Sequence, residues 1–183
     1  AEDGIRDYKV TGVQTCALPI SKSVKSSDGL RLVVDMSQLN SCLDRAVFPF
    51  LSPGQVIQQI KPSSKFFMVV DIASAYYTAL LDKATRPLLA FLLPSELGGR
   101  YYFNRCPQGL NVSGDLFQAA RDVALRGLDY HSLVDDLLLE ADTYEDLLEK
   151  ARVLFQRCKD TGITLSKKKL QVGTTVNFGG FKI

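Results

Sequence analysis

The chain has 183 residues, enough for one domain or one domain with a small appendage, and its 46% hydrophobic and 23% charged content is ordinary for a globular protein. A formal charge of +2 gives only a slight bias toward a polyanionic partner. No apolar run approaches the roughly 18 residues a membrane-spanning helix needs, and four cysteines with no CxxC and one histidine argue against a disulfide framework or a zinc site and point to a reducing, intracellular compartment.

Residues 1–20, AEDGIRDYKVTGVQTCALPI, resemble the conceptual translation of a sequencing-library adapter, with AEDGIRD and VTGVQTCALPI as constant parts around a two-residue index. They hold no sustained helical or strand period and lack a signal peptide's charged start and apolar centre. They are set apart as an artefactual or disordered leader, and the fold is read from residue 21 onward.

After the turn signal Ser27-Asp28-Gly29, the β-branched run Leu30 to Val34 predicts a strand. Ser52-Pro53-Gly54-Gln55 predicts a helix start, with Ser52 as N-cap, Pro53 at the first position and Gln55 closing a capping box. Phe66 to Val70 is a continuous apolar run ending at Asp71, as expected for a strand buried on both faces. Leu88 to Leu93 and Tyr101 to Phe103 read as two further strands, linked through Pro94 and Gly98-Gly99. Ser113 to Leu128 reads as a helix with Phe117, Ala120, Ala124 and Leu128 at helical spacing.

His131 to Val134 and Leu137 to Glu140 are short apolar runs separated by Asp135-Asp136, which is hairpin spacing with two acids at the tip. Asp142 and Glu145 predict the capped start of a long helix that ends at Gly162, with Leu147, Leu148, Ala151, Leu154, Phe155 and Cys158 as its apolar stripe. Strands follow at Leu170 to Val172 and Val176 to Phe178, and at Phe181-Lys182-Ile183. Without the two inserted strands, the order from Phe66 is split β-α-β-β-α-β, an α+β fold with an antiparallel sheet and both helices on one face. That order places Asp71 beside Asp135-Asp136.

Clustered carboxylates raise one another's pKa unless a cation neutralises them. Oxygen-only ligands select Mg²⁺ or Mn²⁺, and two such ions stabilise the attacking and leaving oxygens of an in-line phosphoryl displacement. Taken singly, an Asp-Asp at a hairpin tip is usually just a solvated turn and an Asp after a strand is often a helix cap.

The motifs in series resemble the reverse transcriptases, and among them those of gypsy-like LTR retrotransposons. Val70-Asp71-Ile72-Ala73-Ser74-Ala75-Tyr76-Tyr77 is similar to polymerase motif A, and Cys106-Pro107-Gln108-Gly109-Leu110 through Ser113 to Phe117-Gln118 to motif B. Leu133-Val134-Asp135-Asp136 is similar to motif C, Gly162 to Lys169 to motif D, and Phe178-Gly179-Gly180-Phe181 to the start of motif E. Arg31 to Asp35 with Leu39-Asn40 resembles the fingers strand and its LN signature, so the likeness runs from about Val24 to the last residue.

The resemblance implies a polymerase palm with partial fingers, the fingers at about 22–65 and 86–105 and the palm in the rest of 21–183, with the thumb absent. It implies an RNA-directed DNA polymerase core joining dNTPs to a primer 3′-hydroxyl on an RNA or DNA template, with two Mg²⁺ or Mn²⁺ ions. Asp71 and Asp135 would ligate the metals, with the Ile72 carbonyl, and Asp136 would act beside them on charge and geometry. Tyr76 would be the sugar gate, Gln108 and Gly109 would line the nucleotide pocket, and Arg31 and Lys25 would reach the triphosphate. Leu133, Val134, Phe178, Gly179 and Gly180 would touch the primer, and Lys169 would protonate the leaving pyrophosphate.

Leu133 departs from the aromatic usual in motif C, so contact with the primer end is expected to differ. The resemblance also implies the rest of a Pol polyprotein (thumb, RNase H, integrase), a cytoplasmic virus-like particle and no membrane; a palm without a thumb is expected to be weak or inactive alone. The alternatives are a viral RNA-dependent RNA polymerase, a two-metal nuclease, and a decayed or domesticated retroelement protein that binds nucleic acid without catalysis. The intact acids, Tyr76 and the Pro107-Gln108-Gly109 turn count against them.

Overall fold

The computed structural model describes residues 5–7, 20–26, 29–45, 48–93 and 99–183, with side chains from residue 34 onward. The strands and helices run β1 (Ile5–Asp7), β2 (Ile20–Ser26), β3 (Gly29–Val34), α1 (Ser37–Asn40), α2 (Pro53–Ile57), β4 (Phe66–Asp71), β5 (Ala90–Leu93), β6 (Gly99–Phe103) and α3 (Ser113–Ala124). They continue with β7 (His131–Leu133), β8 (Asp136–Ala141), α4 (Tyr144–Thr161), β9 (Gln171–Gly173), β10 (Asn177–Phe178) and β11 (Phe181–Lys182). Among these residues no helix is long and apolar enough to cross a membrane, and Cys42, Cys106 and Cys158 are unbridged.

The chain forms two compact units. The described residues within 1–46 together with Tyr76–Phe117 make one, and those of 47–75 with Gln118–Ile183 make the other.

The first unit holds an antiparallel β2–β3 hairpin and a sheet of order β1-β6-β5. Its core is Val34, Met36, Leu89, Phe91 and Phe103, with Tyr77, Leu81 and Tyr101 packed against it. Ile5–Asp7, inside the stretch set apart as a leader, pairs with Phe103 to Tyr101. The β2 partner of the Leu30 to Val34 strand, ISKSVKS, lacks the apolar alternation that would mark it as a strand in sequence. Arg86–Leu89 is a 3-10 turn, so the strand expected from Leu88 begins at Ala90, after the prolyl turn has spent those residues. The expected Pro94 and Gly98 link, and Ser27-Asp28, lie outside the described residues.

The second unit is built on an antiparallel sheet of order β7-β8-β4-β9. That is the split β-α-β-β-α-β arrangement in an α+β fold. β4 is central and reads as continuous apolar sequence because both its faces are covered. Phe67 and Val69 join Val56, Leu138, Val176 and Phe178 in one cluster. Met68 and Val70 point the other way by strand alternation, and α4 packs across β4 and β8.

The capping box of α2 forms as expected, Ser52 Oγ accepting from the Gln55 N–H at 3.3 Å and the Ser52 N–H donating to Gln55 Oε1 at 2.8 Å. α4 is capped one residue later than expected. Thr143, not Asp142, accepts from the Asp146 N–H at 3.2 Å, because Asp142 still receives a bond from the Ser63 hydroxyl. The helix ends at Gly162, whose φ of 74° lies in the left-handed region that glycine adopts without a Cβ penalty.

Two apolar stripes are narrower or differently placed than the sequence suggests. In α4, Leu147, Ala151, Leu154 and Cys158 are buried, while Leu148 and Phe155 face solvent. α3 stops at Ala124, short of Leu128. Beyond Ser113 and Asp115 in its first turn, the residues it buries are Phe117, Arg121 and, just past its end, Leu125, while Ala120 is exposed.

Candidate active site

Strand pairing brings the acids together. β4 runs antiparallel to β8 with Asp71 opposite Asp136, five register pairs beyond the start at Phe66 opposite Ala141. Asp71 follows Phe67 and Val69 in strand parity, and Asp136 precedes Leu138, so both acids project on the face of that apolar cluster. Asp71 is buried, and Asp136 is half-buried.

Asp135 lies in the turn between β7 and β8. The two-residue loop is Val134-Asp135, and Asp136 already pairs with Leu133 as the first residue of β8. The tip therefore sits one residue earlier than the sequence spacing suggests. Val134 takes φ +55°, while Asp135 keeps a negative φ. A positive φ at the first loop residue alone is the type II′ pattern, whose usual occupant there is glycine. For a β-branched residue this is a strained conformation costing on the order of 1–3 kcal/mol. It is held: the Arg121 guanidinium donates to the Val134 carbonyl at 2.6 Å, and the Ile72 N–H to the Asp135 carbonyl at 2.8 Å.

Beyond Asp71 the chain is laced to the segment before β9. Ser166 N–H donates to the Asp71 carbonyl and Ala73 N–H to the Thr164 carbonyl, both at 2.8 Å, on either side of an Ile72–Leu165 bridge. Neither bond uses the Ile72 carbonyl. This lacing delivers Lys169, whose Nζ lies 2.6 Å from Asp71 Oδ2. The bond to Asp71 holds the Lys169 ammonium above its ordinary pKa.

The remaining acids are short of positive partners. Burial pushes the Asp135 carboxyl up, and the charge of Asp71, with which it shares a hydrogen bond, pushes it further. Burial also raises Asp136, followed by repulsion from Asp135 and Asp71, with Lys169 offsetting only part. Among the described residues no three His, Cys, Asp or Glu side chains converge as a ready-made metal cage. The donor set nonetheless fits a hard divalent cation, being carboxylate oxygens on adjoining strands whose protons a cation would displace.

The expected primer-contact residues all belong to the same unit. Gly179 and Gly180 form the β10–β11 turn at φ 58° and 84°. A Cβ on Gly179 would stand 2.6 Å from Leu133 Cδ2 and 3.3 Å from Pro53 Cβ, so the absent side chain is what lets this turn seat against Leu133. Phe178 is buried beneath it, and Val134 is exposed.

The expected nucleotide-binding residues all belong to the other unit. Tyr76 is half-buried, in a 3-10 turn, edge-on to Phe117 with ring centres 5.9 Å apart. Gln108 is half-buried and Gly109 exposed, Gly109 with φ +99°. Lys25 pairs with Leu30, and Arg31 with Val24, on the β2–β3 hairpin; their side chains lie outside what the structure describes.

Three residues matter more than the sequence suggests. Asn40 pins the turn after Gln108: its side-chain amide donates to the Gly109 carbonyl at 2.8 Å, and its side-chain oxygen accepts the Asn111 N–H at 2.9 Å. The LN signature pointed at it without giving a role. For Arg121 and Glu140 the sequence signal is only a polar residue on the apolar stripe of a helix and in an apolar strand.

An antiparallel four-stranded sheet with one acid closing a central strand and two at the adjoining hairpin is the palm fold of nucleic-acid polymerases. Residues 22–183 match the family described as reverse transcriptase (RNA-dependent DNA polymerase), and the chain belongs to that family. The enzymatic polyprotein of cauliflower mosaic virus (strain Strasbourg) is 32% identical over 156 residues, which take in 84% of this chain and 22% of that polyprotein. The Gag-Pol polyprotein of avian reticuloendotheliosis virus is 29% identical over 198 residues, 98% of this chain and 17% of that one. Of solved structures, a prototype foamy virus protease-reverse transcriptase (CSH mutant) aligns with 100% of this chain and 24% of its own at TM-score 0.83 and 24% identity. The foamy viral protease-reverse transcriptase dRH in complex with double-stranded DNA aligns with 100% of this chain and 31% of its own at TM-score 0.86 and 21% identity. These structures bear on the fold. The chain spans less than a quarter of the two viral polyproteins it matches.

Proposed function

We propose that the chain is the palm and part of the fingers of an RNA-directed DNA polymerase from a gypsy-like LTR retrotransposon. The observation that carries this reading is the register that sets Asp71 opposite Asp136, with Asp135 in the adjoining turn. Asp71 and Asp135, with the Ile72 carbonyl, would hold two divalent ions, Mg²⁺ or Mn²⁺. Bound there, such ions supply a nucleophilic 3′-oxygen and charge stabilisation on the leaving pyrophosphate. Asp136 sets the local charge. Lys169, reaching the cluster from the β9 side, is placed to give its proton to the pyrophosphate once its bond to Asp71 opens. Tyr76 gates the sugar, Gln108 and Gly109 line the nucleotide site, and Arg31 and Lys25 meet the triphosphate. The Leu133, Gly179 and Phe178 cluster takes the primer end.

The natural setting is a longer Pol polyprotein acting inside the cell on an RNA or DNA template with its primer. Relatives named as polyproteins and neighbours solved with DNA or an RNA/DNA hybrid support this setting. Residues 1–20, which precede the family match at residue 22, would be a translated adapter.

Primer extension by this chain joined to a thumb, on RNA and DNA templates, tests the reading. Deoxynucleotides are incorporated and Asp135→Asn abolishes the signal. Incorporation that persists in Asp135→Asn sinks the two-metal assignment, and equal use of ribonucleotides sinks the gate role of Tyr76.

A further inference from the structure

Arg121 occupies a position where α3 would ordinarily bury an apolar side chain, one helical turn after Phe117 and one before Leu125. It is only 4% exposed. Its donors are committed: Nε and Nη2 reach Asp122 Oδ1 at 3.1 and 2.8 Å, and Nη1 reaches the Val134 carbonyl at 2.6 Å. Tyr130 shares a further hydrogen bond with it. A hydrophobic residue of similar volume would fill the site without the cost of burying a guanidinium. What such a residue could not do is hold a backbone carbonyl.

We propose that Arg121 is a positioning residue of the catalytic hairpin, its guanidinium fixing the Val134 carbonyl so that Val134 stays at positive φ and Asp135 stays docked beside Asp71. The two peptide planes around Asp135 are each gripped by their oxygen. Arg121 takes the one before it, and the Ile72 N–H takes the one after it at 2.8 Å. Without the first grip, Val134 at φ +55° relaxes toward a negative φ, the 134–135 peptide rotates, and the Ile72 bond is lost with it. The rigid fork of arginine suits this task, because one arm anchors on Asp122 while the other points at the carbonyl.

Amide hydrogen exchange of the whole chain tests the clamp without any metal or substrate. Arg121→Met raises exchange of the Ile72 amide about tenfold or more relative to Met68 and Val69 in the middle of β4. Val134→Gly, which removes the strain, restores Ile72 protection in the Arg121→Met background. A uniform rise across β4, or no rescue by glycine, overturns the proposal and leaves Arg121 a general packing residue. Should Arg121→Met not fold, Arg121→Lys, which keeps charge and bulk but lacks the fork, carries the same comparison.

The consequence for the site rests on the metal reading above and is measured separately by Mn²⁺ titration followed by electron paramagnetic resonance. Affinity falls several-fold in Arg121→Met and returns in the double variant, while unchanged affinity in a folded Arg121 variant overturns the positioning role. A wild-type chain that binds no Mn²⁺ overturns the metal reading instead, and the exchange comparison then decides the clamp on its own.

Discussion

Strand β8 carries an acid near each end, and the two are treated in opposite ways. Glu140 is 3% exposed, and burial alone would push its carboxyl up. His131 Nε2 lies 3.0 Å from one oxygen and the Lys61 N–H donates to the other at 2.9 Å, and these bonds hold it below its ordinary value. Lys150 adds to the same corner, donating to the Glu140 carbonyl at 2.9 Å and to Asp129 at 2.6 Å. Asp136, four residues earlier on the same strand and the same face, has Asp135 and Asp71 for neighbours and is pushed up. The strand thus satisfies one acid completely and leaves the other wanting positive charge. An acid whose donors are built in is part of the scaffold, and one whose donors are missing is prepared for a ligand.

The sharpest way to break this comparison is to exchange each acid for its amide. Asp71→Asn should lower primer extension by about 10²–10³-fold or more, since it removes a group that acts on developing charge. Glu140→Gln should leave the rate per folded molecule unchanged in the same assay. Comparable losses in both would mean that Glu140 belongs to the active site after all.

Stability should reverse the order. Glu140→Gln keeps the shape but puts a neutral amide where His131 and the Lys61 N–H bind a carboxylate, at a cost of about 1–3 kcal/mol. Urea unfolding measures it, and a cost near zero would show that the corner is held by Lys150 and Asp129 instead.

The two ends also differ in how legible they are. The apolar run Phe66 to Val70 and the hairpin spacing put Asp71 beside the hairpin acids by simple pairing logic, and the register agrees. The hairpin tip itself sits one residue earlier than the spacing predicts, because a valine at φ +55° has no sequence signature when glycine or asparagine is the usual occupant. Arg121, which holds that turn, is 13 residues away in the chain, and nothing in the helical period distinguishes a clamp from a solvated arginine. Lys169 reaches Asp71 across 98 residues, and family position, not spacing, pointed to it. Glu140 reads as the polar close of an apolar strand, since its partners come from the segment before β4 and from β7. Local pattern located the elements; tertiary hydrogen bonds decided what each polar residue does.

The smallest expected effect tests the missing donors directly. Asp136→Asn removes one of three crowded charges, so in EDTA at neutral pH it should raise Tm by about 1–3 °C, the reverse of the usual loss on mutation. The pH dependence gives the sign independently. Asp135 and Asp136 are raised above 3.8, so the folded chain favours their protonated forms; the stability they contribute is fully present below 3.8 and lost as pH rises through their raised values. Glu140 is lowered from 4.5, so its contribution is present above 4.5 and lost as pH falls through its folded value. A scan of Tm between about pH 3 and pH 8 should therefore show Asp136→Asn flattening the decline on the neutral side, and Glu140→Gln flattening the decline on the acid side. Divalent metal should raise the neutral-side Tm of the wild type more than that of Asp136→Asn, because binding to the folded chain stabilises it by mass action. If Asp136→Asn melts below the wild type in EDTA at neutral pH, Asp136 has its donors already, and the contrast between the two ends of β8 fails.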